Sequence, residues 1–347
     1  MTGGRPTGAA TRLFDGRWLG FTGIGRVSEQ LLVGLAELAP EDRWILWGRP
    51  GIERYAWPGT TIVEAGGSPL AWAGQRRRPP PADTYVFPHV VRPATSRPSV
   101  VVLHDTIPLR WAARAVERRF WRSYYRWSTR SATAVLVVSE ATARRARQDL
   151  GVEPAGVLPM AIDGAAMTEI RRRRALEAPD PLHLLYVGRV RRHKNLEGAI
   201  AGFAASGLAA GGGRFTIAGV DQRGRDELRP VLGGSDGRIS VLGPRSEAEL
   251  ADLYASAGVL IQPSFEEGFG LTVVEALTAG IPVCCSDLDP IRTEAGGQAA
   301  TFDPGSPASI AGALDLAAAR ARAREVPNAP ELSAPSDMAA TLVAALP

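Results

Sequence analysis

The chain has 347 residues, of which 45% are hydrophobic, and carries 40 Lys and Arg against 36 Asp and Glu, a formal charge of +4. That is enough apolar material for two substantial cores. No stretch is long and apolar enough to span a bilayer and no signal-peptide pattern opens the chain, so the composition predicts a cytoplasmic enzyme. The two cysteines, Cys284 and Cys285, are adjacent in an expected strand and point to opposite faces. They read as small buried hydrophobes and not as a disulfide. His89, His104, His183 and His193 show no ligand spacing, so no metal site is expected. No Ser-His-Asp arrangement and no nucleic-acid-binding module stands out.

In chain order, Thr11-Arg12-Leu13-Phe14-Asp15 reads as a first strand. Gly23-Ile24-Gly25-Arg26-Val27 reads as a loop, followed by Gln30, Leu31, Leu32 and Leu35 at helical spacing. The glycines are a poor dinucleotide fingerprint, because the third glycine and a well-placed acid are missing. Gln75 to Pro81 reads as a surface loop. Val100 to Leu103 is a buried strand running into a polar loop, His104-Asp105-Thr106-Ile107-Pro108. A lone histidine there is either a satisfied structural residue or a ligand contact.

Arg110, Arg114, Arg118, Arg122, Arg126 and Arg130 then recur every four residues beside Trp111, Phe120, Trp121, Tyr124, Tyr125 and Trp127. On a helix these arginines form a drifting stripe. Such a face can rest peripherally on an anionic membrane, here through segment 110–130. Otherwise it is an amphipathic helix packing Phe120, Tyr124 and Trp127 on its own sheet. Val135 to Val138 is a strand, Ser139 caps a helix through Ala143 and Ala146, and Val157-Leu158-Pro159 closes the sheet. Gly164 to Pro181, with Arg171 to Arg174 and two prolines, reads as a linker.

A second sheet begins near His183. The strand Leu184 to Val187 ends at Gly188, and the basic loop Arg189-Val190-Arg191-Arg192-His193-Lys194-Asn195 follows. Cations at the carboxyl end of a parallel strand lie where open α/β sheets bind ligands. Lys194 is the only lysine in the chain. A compact ammonium suits a phosphate oxygen in a tight site, although a charge run is also an ordinary solvated loop. Further on, Glu267-Gly268-Phe269-Gly270-Leu271-Thr272-Val273-Val274-Glu275 sets two carboxylates eight positions apart around a glycine turn. The glycines let backbone approach a ligand, and the next helix aims its free N–H groups at the same spot. That suits a molecule with a phosphate and several hydroxyls. Thr272 and Glu275 also fit a capping box, in which Glu275 only satisfies backbone donors.

These segments together resemble retaining glycosyltransferases of glycosyltransferase family 4, over nearly the whole chain. Glu267 and Glu275 match that family's E-x7-E motif, and Arg189 and Lys194 its phosphate-binding pair. Phe215 to Gly219, Ile239 to Pro244, Glu249-Leu250-x-x-Leu253-Tyr254 and Pro263-Ser264 follow in the family's order. Gly23-Ile24-Gly25-Arg26 resembles its loop after the first strand, and His104-Asp105 its segment beside the donor sugar.

The resemblance implies an α/β GT-B fold, two Rossmann-like parallel-sheet domains facing each other across a cleft. It puts an acceptor-binding domain at 1–165 and a nucleotide-sugar-binding domain at 182–325. A helix at 333–347 crosses back to the first domain. Arg189 and Lys194 would neutralise a diphosphate, with backbone amides at Gly268, Phe269, Gly270 and Leu271 adding to them. Glu267 would bind sugar hydroxyls and Glu275 the ribose. Gly219 and Val241 would line the nucleotide site, the base lying near Val241, with Gly23 and Gly25 also contacting substrate. His104 and Asp105 would reach the sugar after domain closure. The implied partners are a nucleotide-diphosphate sugar of mannose, rhamnose or glucose type and a glycan, lipid-linked or natural-product acceptor. No metal or other cofactor is implied. A catalytically silent binding scaffold and a nucleotide-sugar epimerase are the alternatives on the same fold.

Overall fold

The computed structural model describes residues 10–20, 22–38, 42–65, 78–233 and 237–347. Residues 75–77 of the surface loop expected from the sequence lie outside the described residues. The chain forms two compact units, Met1–Ile162 with Leu332–Pro347, and Asp163–Glu331.

Among the described residues, the first unit holds a seven-stranded parallel sheet. Its strands are β1 (Thr11–Asp15), β2 (Arg43–Gly48), β3 (Thr60–Glu64), β4 (Thr84–Phe87), β5 (Ser99–Leu103), β6 (Ala134–Val137) and β7 (Gly156–Val157). The central strands are continuous apolar runs because helices cover both faces of a parallel sheet. Every residue of β4 and β5 is buried. The order β3-β2-β1-β4-β5-β6-β7 means that the chain builds outward from β1, then returns to its other side. Ligands of open α/β sheets bind at such a reversal, beyond the carboxyl ends of the strands.

The helix Pro335–Ala344 packs on the first helix, Thr22–Leu38. Met338 and Leu342 are fully buried there. A Cβ at Gly34 would overlap the Pro335 carbonyl, so only glycine allows this approach.

Two sequence expectations in this unit need correction. Gly23 and Gly25 are not in a loop: the helix already begins at Thr22. Gly25 is required there because a Cβ would stand 2.9 Å from the Trp18 carbonyl oxygen. Segment 110–130 is also not one helix. Pro108–Trp111 and Ala115–Arg130 are separate, with extended backbone at Ala112 and Arg114 between them. The arginine stripe is thereby broken. Arg110 pairs with Asp149, Arg118 donates to the Ala112 carbonyl at 2.8 Å, and Arg130 donates to the Leu150 carbonyl at 3.3 Å. Tyr125 is buried, but Phe120 and Trp127 are 54% and 40% exposed. Those two rings therefore do not serve as core residues under the sheet.

The second unit repeats the plan with six parallel strands among the described residues. They are β8 (Asp180–Val187), β9 (Arg214–Ala218), β10 (Ile239–Val241), β11 (Ala257–Gln262), β12 (Val283–Ser286) and β13 (Ala300–Phe302). The order β10-β9-β8-β11-β12-β13 places the reversal between β8 and β11. Cys284 and Cys285 sit on opposite faces of β12, one in each of two apolar clusters. Burial raises both thiols, Cys285 to about 12.

The expected linker is instead a helix, Gly164–Leu176, that belongs to this unit. Asp163 caps it by accepting from the Ala166 amide at 2.9 Å. No proline interrupts residues 164–176. Ile170 is buried against the core formed by helices Glu247–Ser256 and Leu271–Thr278. Two of the four arginines tie carbonyls of those helices. Arg171 donates to the Thr278 carbonyl at 3.3 Å and Arg174 to the Tyr254 carbonyl at 3.0 Å.

Candidate active site

The second unit's site is built from the loops leaving β8 and β11, the strands that flank the reversal. Gly188 ends β8 with φ 157, and a short 3-10 turn, Arg192–Lys194, follows. Asn195 then takes a left-handed conformation at φ 51 and opens the helix Leu196–Ala205. The Phe265 amide donates to the His193 carbonyl at 2.7 Å, which stitches the two loops together.

That stitch brings Lys194 to Glu267. Lys194 Nζ lies 2.7 Å from Glu267 Oε1, with the side chains 23% and 9% exposed. Ser264 Oγ donates to the same oxygen at 2.6 Å, and Gln262 Nε2 donates to it as well. Burial opposes ionisation of Glu267, but Lys194 and Ser264 outweigh it and hold the carboxyl below the usual range. Neighbouring His193 is pushed down to about 4, first by burial and then by Lys194. The site therefore pairs an anion with a cation beside a neutral imidazole.

Gly270 follows with φ 106 and ψ 37, a left-handed conformation that costs a side-chain-bearing residue strain. It starts the helix Leu271–Thr278, and no side chain caps that terminus. Its first amides and dipole are thus available to an anion. Thr272 and Glu275 do not make the capping box that their spacing allows. Glu275 is 3% exposed, and Tyr254 Oη donates to its Oε2 at 3.1 Å. A buried carboxylate facing a buried hydroxyl is a different object from a surface cap.

Arg189 is exposed and its backbone carbonyl accepts from Tyr186 Oη at 3.2 Å. It shares the loop with Lys194 but makes no ion pair with Glu267. Gly219, at φ 93, lies so close to Gly188 that a Cβ would stand 3.0 Å from the Gly188 carbonyl oxygen. The Gly188 amide donates to the Ala218 carbonyl at 2.9 Å, and the Gly219 amide to the Gly243 carbonyl at 3.2 Å. The loops after β8, β9 and β10 thus form one continuous rim. Val241 lies on that rim, with its carbonyl accepting from Arg225 at 2.7 Å. Gly268, Phe269 and Leu271 are half-buried along the turn before the helix.

In the first unit, His104 and Asp105 follow β5. His104 Nε2 lies 2.7 Å from the Pro88 carbonyl. A carbonyl only accepts, so Nε2 carries the hydrogen and Nδ1 remains an acceptor. Burial pushes His104 down to about 4, so the ring is neutral at pH 7. Asp105 Oδ1 accepts from the Ile107 amide at 2.9 Å. His89, from the loop after β4, stacks near His104 at 5.9 Å and meets Trp18 at 4.3 Å. Gly23 is exposed on the first helical turn, whereas Gly25 is buried.

Trp18, His89, Tyr254 and Gln262 were not sequence candidates for contacting ligand. Gln262 had a signal: it is the one polar residue in an otherwise apolar strand, Ala257-Gly258-Val259-Leu260-Ile261-Gln262. Among the described residues, no group of three or more His, Cys, Asp or Glu side chains is placed to hold a metal ion.

Two open parallel sheets, each with polar loops at the carboxyl ends of its strands, define a two-unit α/β protein. The family model for glycosyl transferases group 1 matches residues 167–328, and that for Glycosyltransferase Family 4 matches residues 65–165. The chain belongs to the GT-B glycosyltransferases of the family 4 type. An O-antigen chain mannosyltransferase B from Escherichia coli is 31% identical over 126 residues, 35% of this chain and 33% of that protein. A D-inositol 3-phosphate glycosyltransferase 2 from Catenulispora acidiphila is 30% identical over 183 residues, 50% of this chain and 38% of that protein. The matched stretch is therefore well under half the length of either relative. The fold is similar to that of a sucrose-phosphate synthase from Thermosynechococcus elongatus, with a TM-score of 0.71 and 17% identity. That alignment covers 97% of this chain and 95% of the other.

Proposed function

We propose that this chain is a retaining glycosyltransferase that moves a hexose from a nucleotide-diphosphate sugar to a glycan, lipid-linked or small-molecule acceptor. The observation that carries the reading is the Lys194–Glu267 contact at the reversal between β8 and β11. A nucleotide-diphosphate sugar offers a dianionic diphosphate next to a polyhydroxylated ring. Lys194, Arg189 and the uncapped start of the Leu271–Thr278 helix meet the diphosphate as the glycosidic bond breaks. Glu267, at hydrogen-bonding distance from that lysine, accepts from hydroxyls of the sugar. Glu275 accepts from ribose hydroxyls, a role that suits a buried carboxylate better than a cap does. His104 offers a neutral acceptor and Asp105 a carboxylate, both suited to sugar hydroxyls.

Two cations and a helix terminus supply the positive charge, so the reaction proceeds without a metal. Retention follows from attack on the face the diphosphate leaves, with a phosphate oxygen taking the acceptor proton. The mannosyltransferase among the relatives supports a mannose-type donor, with rhamnose and glucose as the other candidates. Peripheral contact with an anionic membrane through 110–130 is part of the proposal. Its support is the exposure of Val116, Phe120 and Trp127 on a helix that also exposes Arg119, Arg122 and Arg126.

The test is release of nucleoside diphosphate from UDP-glucose, GDP-mannose and dTDP-rhamnose, with and without sugar acceptors. Release of one diphosphate, stimulated by acceptor, is expected. Binding without turnover would identify a silent scaffold, and a new nucleotide sugar without acceptor would identify an epimerase.

A further inference from the structure

Gln262 is hard to explain by stability. It ends β11 and is 2% exposed. Its amide nitrogen donates to Glu267 Oε1 and, at 3.0 Å, to Ser264 Oγ. Its own Oε1 is buried with no hydrogen-bond partner among the described residues. The amide cannot be turned to cure this, because its NH2 must face an ionised carboxylate that only accepts. A buried acceptor without a donor is unfavourable. An apolar side chain would suit this strand better, so the glutamine answers to another demand.

The geometry around Glu267 shows what that demand is. Lys194, Ser264 and Gln262 all donate to Oε1. The carboxylate is thereby fixed through one oxygen, and Oε2 takes part in none of these three bonds. A diphosphate that engages Lys194 draws the cation away from Glu267 at the moment the carboxylate is needed. A buried carboxylate deprived of its cation tends to bind a proton. Ser264 is 0% exposed, and both it and Gln262 are held by backbone next to the strand. Neither can follow the ligand.

We infer that Gln262 and Ser264 are positioning residues that keep Glu267 charged and aimed once a diphosphate has taken Lys194. This rests on the proposed glycosyltransferase reading and deepens it: the sugar-facing carboxylate has its own support, independent of the phosphate-binding cation.

The experiment compares the wild type with Gln262→Met and Ser264→Ala. The substrate is whichever nucleotide sugar the wild type consumes, and the binding probe is the matching nucleoside diphosphate. Loss of one bond to a charged group predicts a kcat about ten- to a hundredfold lower in each variant. Affinity for the nucleoside diphosphate should stay within about twofold of wild type, because it has no sugar to meet Glu267. Gln262→Met removes a buried unpartnered acceptor together with a donor to Glu267, two effects of opposite sign, so its melting point should stay within about 2–4 °C of wild type.

The pH profile gives a readout that a purely structural role would not move. The titratable groups facing Glu267 are Lys194 and His193 from the loop after β8, and Tyr186 from β8 itself. Removing a donor makes Glu267 easier to protonate, so the acid limb of kcat should move to higher pH. Variants with wild-type kcat and an unmoved acid limb would overturn the inference, as would equal losses of kcat and nucleotide affinity. A wild type that consumes no nucleotide sugar would overturn the parent reading together with this one. An active wild type with unaffected variants overturns only this one.

Discussion

Replacing Glu275 tests whether the buried carboxylate of the Leu271–Thr278 helix serves a ligand or only the fold. Glu275 is 3% exposed, and its carboxyl accepts from Tyr254 Oη on a residue 2% exposed. Glu275→Gln keeps the shape and an oxygen that can accept from Tyr254, so stability should change by less than about 1 kcal/mol. That is a melting shift of no more than about 2–4 °C for a unit of this size. The ligand loses more. A bond to a charged group contributes about 1.5–3 kcal/mol and a neutral one about 0.5–1.5, so two ribose hydroxyls together lose about 2 kcal/mol. Nucleotide affinity should fall by about thirtyfold. Glu275→Ala should cost both quantities, about 1–3 kcal/mol of stability from the lost bond to Tyr254 and a similar loss of binding. The assay pairs calorimetric nucleotide titrations with melting curves on the same preparations. Full nucleotide affinity in Glu275→Gln would refute the ribose role, and in Glu275→Ala, beside a lowered melting point, would leave Glu275 a fold residue only.

Acid should destabilise both units in the window from about pH 6.5 down to about 4. His104 and His193 are each depressed to about 4 by burial, so the unfolded chain binds protons there that the folded chain refuses. Scanning calorimetry between pH 7 and pH 4 measures this, and a melting point that stays flat would contradict it. Turnover should persist in excess EDTA, because the proposed reaction draws its positive charge from Lys194, Arg189 and a helix terminus. Loss restored by magnesium or manganese would overturn that scheme. The double replacement of Phe120 and Trp127 by serine should lower binding to phosphatidylglycerol-containing vesicles at least tenfold, through lost apolar burial. Sedimentation with those vesicles checks this, and equal sedimentation of wild type and variant at low salt would remove the surface from the account.

Much of the fold was legible because its signals are local. Continuous apolar runs gave β5, β6 and β8, and Gly188 marked the end of β8 through a backbone conformation that favours glycine. The errors share a cause, which is that charge does not report its partner. Arg171 and Arg174 stand in a stretch that reads as a linker, yet they serve carbonyls of residues 278 and 254. Arginines four apart from 110 to 130 suggested one helix, but Pro108 starts a separate turn that ends before the next helix.

The candidate site was legible as two motifs but not as a network. Lys194 and Glu267 are 73 residues apart, and only the neighbouring positions of β8 and β11 join them. Read singly, Lys194 is a phosphate ligand and Glu267 a sugar ligand. Their direct contact, and the support that Ser264 and Gln262 give it, depend on tertiary structure. Glu275 was ambiguous in sequence: its spacing from Thr272 permits a cap, but the helix begins at Leu271 after Gly270, so Thr272 lies inside it and cannot be the capping residue.

The solitary lysine allows the central claim to be tested at one atom. An amine-directed acylating reagent can modify only Lys194 and the N-terminal amine, which serves as the internal control. The protein is labelled with and without a saturating nucleoside diphosphate, and peptides spanning residues 190–200 are quantified by mass spectrometry. The account predicts that bound diphosphate shields Lys194 while the N-terminus reacts as before, and that acylated protein no longer turns over donor. Equal labelling of Lys194 in both samples would contradict it, leaving the Lys194–Glu267 pair as a structural contact beside an unused loop.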